Sequence, residues 1–364
     1  MGEEQLNAAD AAHGEAASPS GRRACIVGLG GQTLSSEEAD FLEACRPCGL
    51  IVFSRNFAHS DQLRGLISDA CKAAGGEQLL VLVDQEGGRV QRMRGAGWPD
   101  LPPAAAFGAL FAQNPQVGLE AAELCSRWLA GLLRDVGINA NCVPCLDVPV
   151  PGADGIIGDR AYGNDPALVA AVGGAVASGA IDGGVVPVMK HIPGHGRAGV
   201  DSHHALPVVD SDLETLVAQD FAPFADNNGL PAAMTAHVTF SNIDALQPAS
   251  ISHRLTNDII RGRIGFQGLL MSDDISMQAL AGSIAERGRR VIEAGSDVIL
   301  HCNGVMDEMR EMASVAPVLA NESLVRYRRC LEIAAQAPGA VDEATAVAAM
   351  ERARTALSAR ETAS

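Results

Sequence analysis

The chain has 364 residues, 47 % of them hydrophobic and 20 % charged, enough to fill the core of one large α/β domain or two medium ones. Its net charge of −17, with no compensating Lys/Arg stripe, argues against nucleic-acid binding, and 4 % aromatic residues leave little for base stacking. No apolar run nears the roughly 18 residues of a membrane span.

From the N-terminus, residues 1–21 are rich in Ala, Glu, Gly and Ser without periodicity and are expected to form a disordered tail. They lack the basic and apolar segments of a secretory signal, and the nine cysteines of the chain, an odd number, read as reduced thiols. The expected location is the cytoplasm. Beyond residue 22, apolar runs rich in β-branched residues alternate with Ala/Leu/Glu segments at helical spacing. The runs are ACIVGLG (24–30), GLIVFSRN (49–56), LLVLVDQEGG (79–88) and INANCVPCLDV (138–148). They continue with VVPVMKHIPGHG (185–196), AAMTAHVTF (232–240), GLLMSDDISM (268–277) and SDVILHCN (296–303). Between them lie helical segments such as HSDQLRGLISDACKAAG, with Ser60 or Asp61 as expected N-cap, and NPQVGLEAAELCSRWLAGLLRDVG, capped by Asn114. Continuous apolar runs alternating with helices predict a parallel sheet covered on both faces. Eight such units across 22–340 predict a single-domain (β/α)8 barrel. MDEMREMASVAPVLA and ESLVRYRRCLEIAAQ are assigned to its last helix, and 341–364 to one further helix and tail.

Polar residues gather where the runs end: Arg55–Asn56, Asp84–Gln85–Glu86, Asp147, Lys190–His191, His237, Ser272–Asp273–Asp274 and His301. A barrel brings all these ends to one mouth, where its active sites sit, whereas an open doubly wound sheet uses only those near its switch point. The stretch 185–209 holds four of the nine histidines, and the residues alone leave three readings of it open. His191, His195, Asp201, His203 and His237 could gather around a metal, although H-E-x-x-H is absent and Pro193–Gly194 break any helix between the first two. Alternatively Asp201, two positions before His203, orients that imidazole for acid–base work near neutrality. Or DSHH is a solvated turn. Asp273 and Asp274 are neighbours at a strand end, so one faces the mouth and the other is expected to cap the next helix. Asp84, followed by two glycines, Arg89 and Arg92, reads equally as ion pairing or ligand binding. CRPC (45–48) and CVPC (142–145) could offer four thiolates to zinc or be buried thiols. GLGGQT lacks the spacing of a nucleotide loop.

Four motifs in order, DQEGGRVQR (84–92), IIGDRAYGNDP, KHIPGHG followed by DSH (190–203) and MSDDISM (271–277), together resemble glycoside hydrolase family 3. The likeness is closest to the single-domain bacterial β-N-acetylhexosaminidases that recycle cell-wall muropeptides, and it spans all eight predicted strands. It implies a retaining double displacement without cofactor or metal, with Asp273 as nucleophile, His203 as acid/base and Asp201 orienting His203. It also implies that Asp84, Arg92, Arg160, Lys190 and His191 bind the terminal N-acetylglucosamine. Ile192 stands where the family usually has Phe, and Asp159 where Glu is common. Gly194, Gly196 and Gly199 suggest a loop that swings His203 toward Asp273. The implied partner is a small muropeptide or N-acetylglucosaminide, with no nucleic acid or membrane, and a monomer is favoured. The rival readings are a glycoside phosphorylase, a metal-dependent barrel hydrolase and a sugar-binding barrel without catalysis.

Overall fold

The computed structural model describes residues 21–200, 206–339 and 341–363. The tail expected over 1–21 therefore lies, apart from Gly21, outside the described residues, as do Asp201 and His203. Eight strands form one parallel sheet: β1 (Arg23–Gly28), β2 (Pro47–Val52), β3 (Leu80–Val83), β4 (Ala140–Asn141), β5 (Val186–Ile192), β6 (Ala232–Thr235), β7 (Leu269–Met271) and β8 (Ile299–His301). Their order is β7-β6-β5-β4-β3-β2-β1-β8. A parallel bridge from Met271 to Val298 and a 2.8 Å bond from the Asp297 N–H to the Leu270 carbonyl join β7 to β8. The ring thereby closes into the (β/α)8 barrel that the eight alternating units predicted.

The apolar runs are continuous because both faces of the sheet are buried. Ile26, Leu80, Leu82, Val186, Val188, Ala232, Met234, Leu269 and Leu300 point into the barrel. The intervening Val27, Val81, Val83, Met189, Ala233, Leu270 and Ile299 pack outward under the helices. Each such fully buried aliphatic side chain contributes about 1.5–3 kcal/mol over an exposed one. β4 is short, and Pro144, which has no N–H, interrupts its ladder. Pairing to β5 resumes beyond it, with the Lys190 N–H on the Pro144 carbonyl at 2.9 Å and the Leu146 N–H on the Lys190 carbonyl at 2.7 Å. That second segment sets Asp147 beside the end of β5.

Two sequence assignments change. The helix Ser60–Ala73 is capped by His59, not Ser60 or Asp61: the imidazole Nδ1 accepts the Gln62 N–H at 3.3 Å. Asn114 caps Pro115–Asp135 as expected. The segment expected to complete the last barrel helix divides in two. Met306–Val315 packs outside, through Met309 and Met312, while Asn321–Ala334 closes the N-terminal end of the barrel with Tyr327, Cys330 and Ala334. The Tyr327 hydroxyl donates to the Cys48 carbonyl at 2.8 Å there. Glu343–Ala363 lies against the outer layer through Ala346, Ala349, Met350 and Ala353.

Candidate active site

At the opposite end, the C-terminal mouth of the barrel, a cavity of about 310 Å³ is lined by Asp84, Arg92, Arg160, Lys190, His191 and Asp273, with His195 and Asp274. Its size lies at the low end of ligand pockets, which suits one ring better than an extended chain. Ile51, Phe53, Met234, Met277 and Leu300 supply its apolar wall.

One wall is a chain of alternating charges. Asp84 binds Lys190 Nζ at 2.7 Å and Arg92 at 2.8 Å, and Glu86 binds the same Nζ at 2.6 Å and Arg160 through two bonds of 2.8 and 2.9 Å. Burial by itself would raise both carboxyls, but Lys190 with Arg92 or Arg160 outweighs it and holds them below the usual carboxylate range. Burial would likewise lower Lys190, yet the two acids hold it above its ordinary value. The chain of charges is therefore fully ionised, and its donors are fixed before any ligand arrives. Arg92 also lies over the Phe53 ring, 5.1 Å from the centroid, with Arg55 at 4.8 Å. Arg89 pairs with Asp159 at 3.0 Å on the rim. Ile192 is fully buried in the outer core, so the Phe-to-Ile departure does not alter the cavity wall.

Asp273 follows β7 and is half-buried against the cavity. Its Oδ1 accepts the Asp274 N–H at 2.8 Å. Burial would raise this carboxyl, but the imidazoles of His237 and His191, that N–H and Lys190 hold it below the usual range. It is thus an anion at neutral pH, as a nucleophile or base requires. Asp274 does not cap the next helix, which begins after Ser283; its Oδ1 instead takes the Ser276 and Cys302 N–H groups, both at 3.0 Å. Asp274 thereby ties the loop after β7 to the end of β8.

His237 donates from Nε2 to the Asp274 carbonyl at 3.0 Å, and its Nδ1 shares a hydrogen bond of 2.7 Å with the Ser250 hydroxyl. With both ring nitrogens engaged, it braces Asp274 rather than offering a metal ligand. His301 points to Glu308, at 3.1 Å, and not into the cavity. The two C-x-x-C pairs are split between layers: Cys48 and Cys142 lie inside the barrel, Cys45 outside it, and Cys145 beside Asp147. All nine cysteines are free thiols. Among the described residues one group has metal-ligand chemistry, Cys145, Asp147 and His191, and these side chains are already hydrogen-bonded to one another.

Glu86 and Asp147, marked in the sequence only as strand-end polar residues, prove central to the site. Glu86 lies two positions past Asp84 and so on the same side of an extended chain, which was the available signal. Asp147 was noted only as a strand-end charge; it is wholly buried and accepts His191 Nδ1 at 2.6 Å and the His195 N–H at 2.6 Å. Asp201 and His203 lie outside the described residues. Gly194 and Gly196, expected to let their loop swing, are held by neighbours: a Cβ on Gly196 would stand 2.0 Å from the Val148 carbonyl oxygen, and one on Gly194 3.1 Å from Asp220. Gly199 has open space around it.

A closed parallel barrel with fixed donors and an ionised carboxylate at its C-terminal mouth has the layout of a barrel enzyme, and the sequence places it in a family. The model of the glycosyl hydrolase family 3 N terminal domain matches residues 7–328, and the chain belongs to that family. Among its relatives, a β-hexosaminidase of Bordetella parapertussis is 37 % identical over 312 residues, 84 % of this chain and 87 % of that one. One of Methylococcus capsulatus is 41 % identical over 281 residues, 76 % and 81 % of the respective chains. The fold superimposes on NagZ of Neisseria gonorrhoeae in complex with N-trifluoroacetyl-D-glucosamine with a TM-score of 0.78 at 32 % identity, covering 93 % of this chain and 97 % of that one.

Proposed function

We propose that this protein is a retaining β-N-acetylhexosaminidase that removes terminal N-acetylglucosamine from peptidoglycan-derived muropeptides in the cytoplasm. Asp273 carries the reading: it is the ionised carboxylate that shares a cavity the size of one sugar with the paired Lys190, Asp84 and Arg92. In the first step its oxygen bonds to the anomeric carbon as the glycosidic C–O bond breaks, and His203 gives its proton to the leaving oxygen. In the second, water attacks the same carbon, His203 takes the water's proton, and Asp273 is released. Asp201 orients His203 through both steps. Lys190, His191, Arg92 and Arg160 donate to the sugar, and Asp84 accepts from its hydroxyls. The named activity of the relatives and the N-acylglucosamine bound by the Neisseria protein support the sugar. The nine free thiols agree with a reducing compartment, and among the described residues no helix is long and apolar enough to cross a membrane.

The test is mass spectrometry of protein quenched during turnover of a slow N-acetylglucosaminide. One N-acetylhexosamine should remain on the peptide containing Asp273, and Asp273→Ala should abolish turnover of every aryl glycoside. A label on another peptide, or turnover surviving in the variant, overturns the reading. Running the reaction in phosphate buffer separates free sugar, the hydrolase product, from the sugar 1-phosphate of a phosphorylase.

A further inference from the structure

The most heavily hydrogen-bonded acid near the cavity is one to which the proposed chemistry gives no part. Asp147 is 0 % exposed and follows β4, yet each of its oxygens serves the end of β5. Oδ2 meets His191 Nδ1 at 2.6 Å and the Cys145 thiol at 3.3 Å, while Oδ1 accepts the backbone N–H groups of His195 at 2.6 Å and His191 at 3.3 Å. Burial would raise this carboxyl, but His191, through charge and hydrogen bond, and then His195 hold it well below the usual range. An ionised carboxylate only accepts, so every group around it must donate. The Cys145 thiol donates, with burial foremost among the causes that keep it protonated. His191 must then carry its proton on Nδ1, which leaves Nε2 as the ring nitrogen that can address the cavity. The same carboxylate, through the His195 N–H, fixes where the chain turns after β5.

We propose that Asp147 is a positioning residue that acts through His191: it sets the imidazole's protonation and orientation, and so what Nε2 presents to the bound sugar. This orienting pair is separate from Asp201 and His203. The proposal rests on the reading of the cavity as the sugar site. Among the described residues Asp147 and His191 hydrogen-bond to no other acid, while Asp273 and the His195 ring, 5.6 Å from that of His191, face His191, and Asp220 and Arg160 face Asp147 through charge.

The test compares wild type, Asp147→Asn, His191→Ala and the double variant on a chromogenic N-acetyl-β-glucosaminide. Asp147→Asn keeps the volume but brings an amide N–H to the site and removes the charge that selects Nδ1–H. It should lower kcat/KM by roughly 10- to 100-fold, as loss of an outer partner of a functional histidine does, and move the acidic limb of the kcat/KM–pH profile. In the His191→Ala background the same change should cost less than about 3-fold, because the residue it acts through is gone. Losses that multiply, or a single variant within about 2-fold of wild type with an unmoved pH profile, overturn the proposal. Should Asp147→Asn not fold, the ¹⁵N-histidine spectrum of the wild-type protein decides: the His191 signal, assigned by its loss in His191→Ala, must show the proton on Nδ1, and a proton on Nε2 alone overturns it. A wild-type protein inactive on N-acetyl-β-glucosaminides defeats the sugar-site reading instead, while the spectrum still tests the pair.

Discussion

Lys190 shows how much one buried cation depends on its partners. Its side chain is 2 % exposed and shared between Asp84 and Glu86, and Glu86 is in turn shared with Arg160. Removing one member of a buried ionic group leaves the others desolvated without compensation, at a cost of about 3–5 kcal/mol. Glu86→Ala is therefore expected to lower unfolding free energy by that order in a urea titration at neutral pH, and Glu86→Gln, which retains an acceptor, by less. Equal and small effects from both would show that Glu86 is a bystander. Because Asp84 still neutralises Lys190, Glu86→Gln should raise KM more than it lowers kcat. Glu86 and Arg160 are 74 positions apart, Asp84 and Lys190 106 apart. The strand-end charges marked the mouth of the barrel without saying which of them would pair.

At the scale of elements, two joints position the mouth. The turn after β5 is pressed so close to the chain beyond β4 that Gly196 has no room for a Cβ against the Val148 backbone. Gly196→Ala must push these segments apart, costing on the order of 3 kcal/mol. Steady-state kinetics should show a fall in kcat/KM larger than the change in Tm explains, since the displaced turn carries His195 and leads to residues 201–205. Unchanged kinetics would contradict that coupling. At the other end, Asn321–Ala334 plugs the barrel floor, and Tyr327→Phe removes one buried hydrogen bond to Cys48. A loss of about 1 kcal/mol with unaltered kcat and KM is expected, because the floor is remote from the cavity. Reduced activity there would mean that the plug shapes the mouth.

For the whole molecule, acid stability follows from the same burial. Burial first, and the neighbouring His191 second, push His195 down to about 4 in the folded state. Unfolded, it takes a proton near its ordinary value of about 6.5. Its contribution is thus complete above about 6.5 and lost as pH falls through 4, amounting to about 3 kcal/mol in all. Below about 4 the depressed carboxyls Asp84, Glu86, Asp147 and Asp273 add to the decline, because the unfolded chain binds protons that the folded one refuses. Unfolding free energies measured between pH 7 and 5 should therefore fall in wild type and fall less in His195→Gln. Parallel profiles would remove His195 from the account.

The amino-acid order by itself determined the barrel and its mouth. Strands buried on both faces must be apolar throughout, helices under them must repeat at helical spacing, and charges are tolerated only where each run ends. Those are local requirements, visible within ten or twenty residues, and four spaced motifs added the family. The tertiary structure decided which charges pair, that Asp274 and His237 are braces, that Asp147 grips the end of β5, and that His59 is a cap. Each depends on distance and desolvation between groups remote in sequence or on a side-chain rotamer. Periodicity reports which way a residue faces; only the closed ring brings it within bonding distance of a partner.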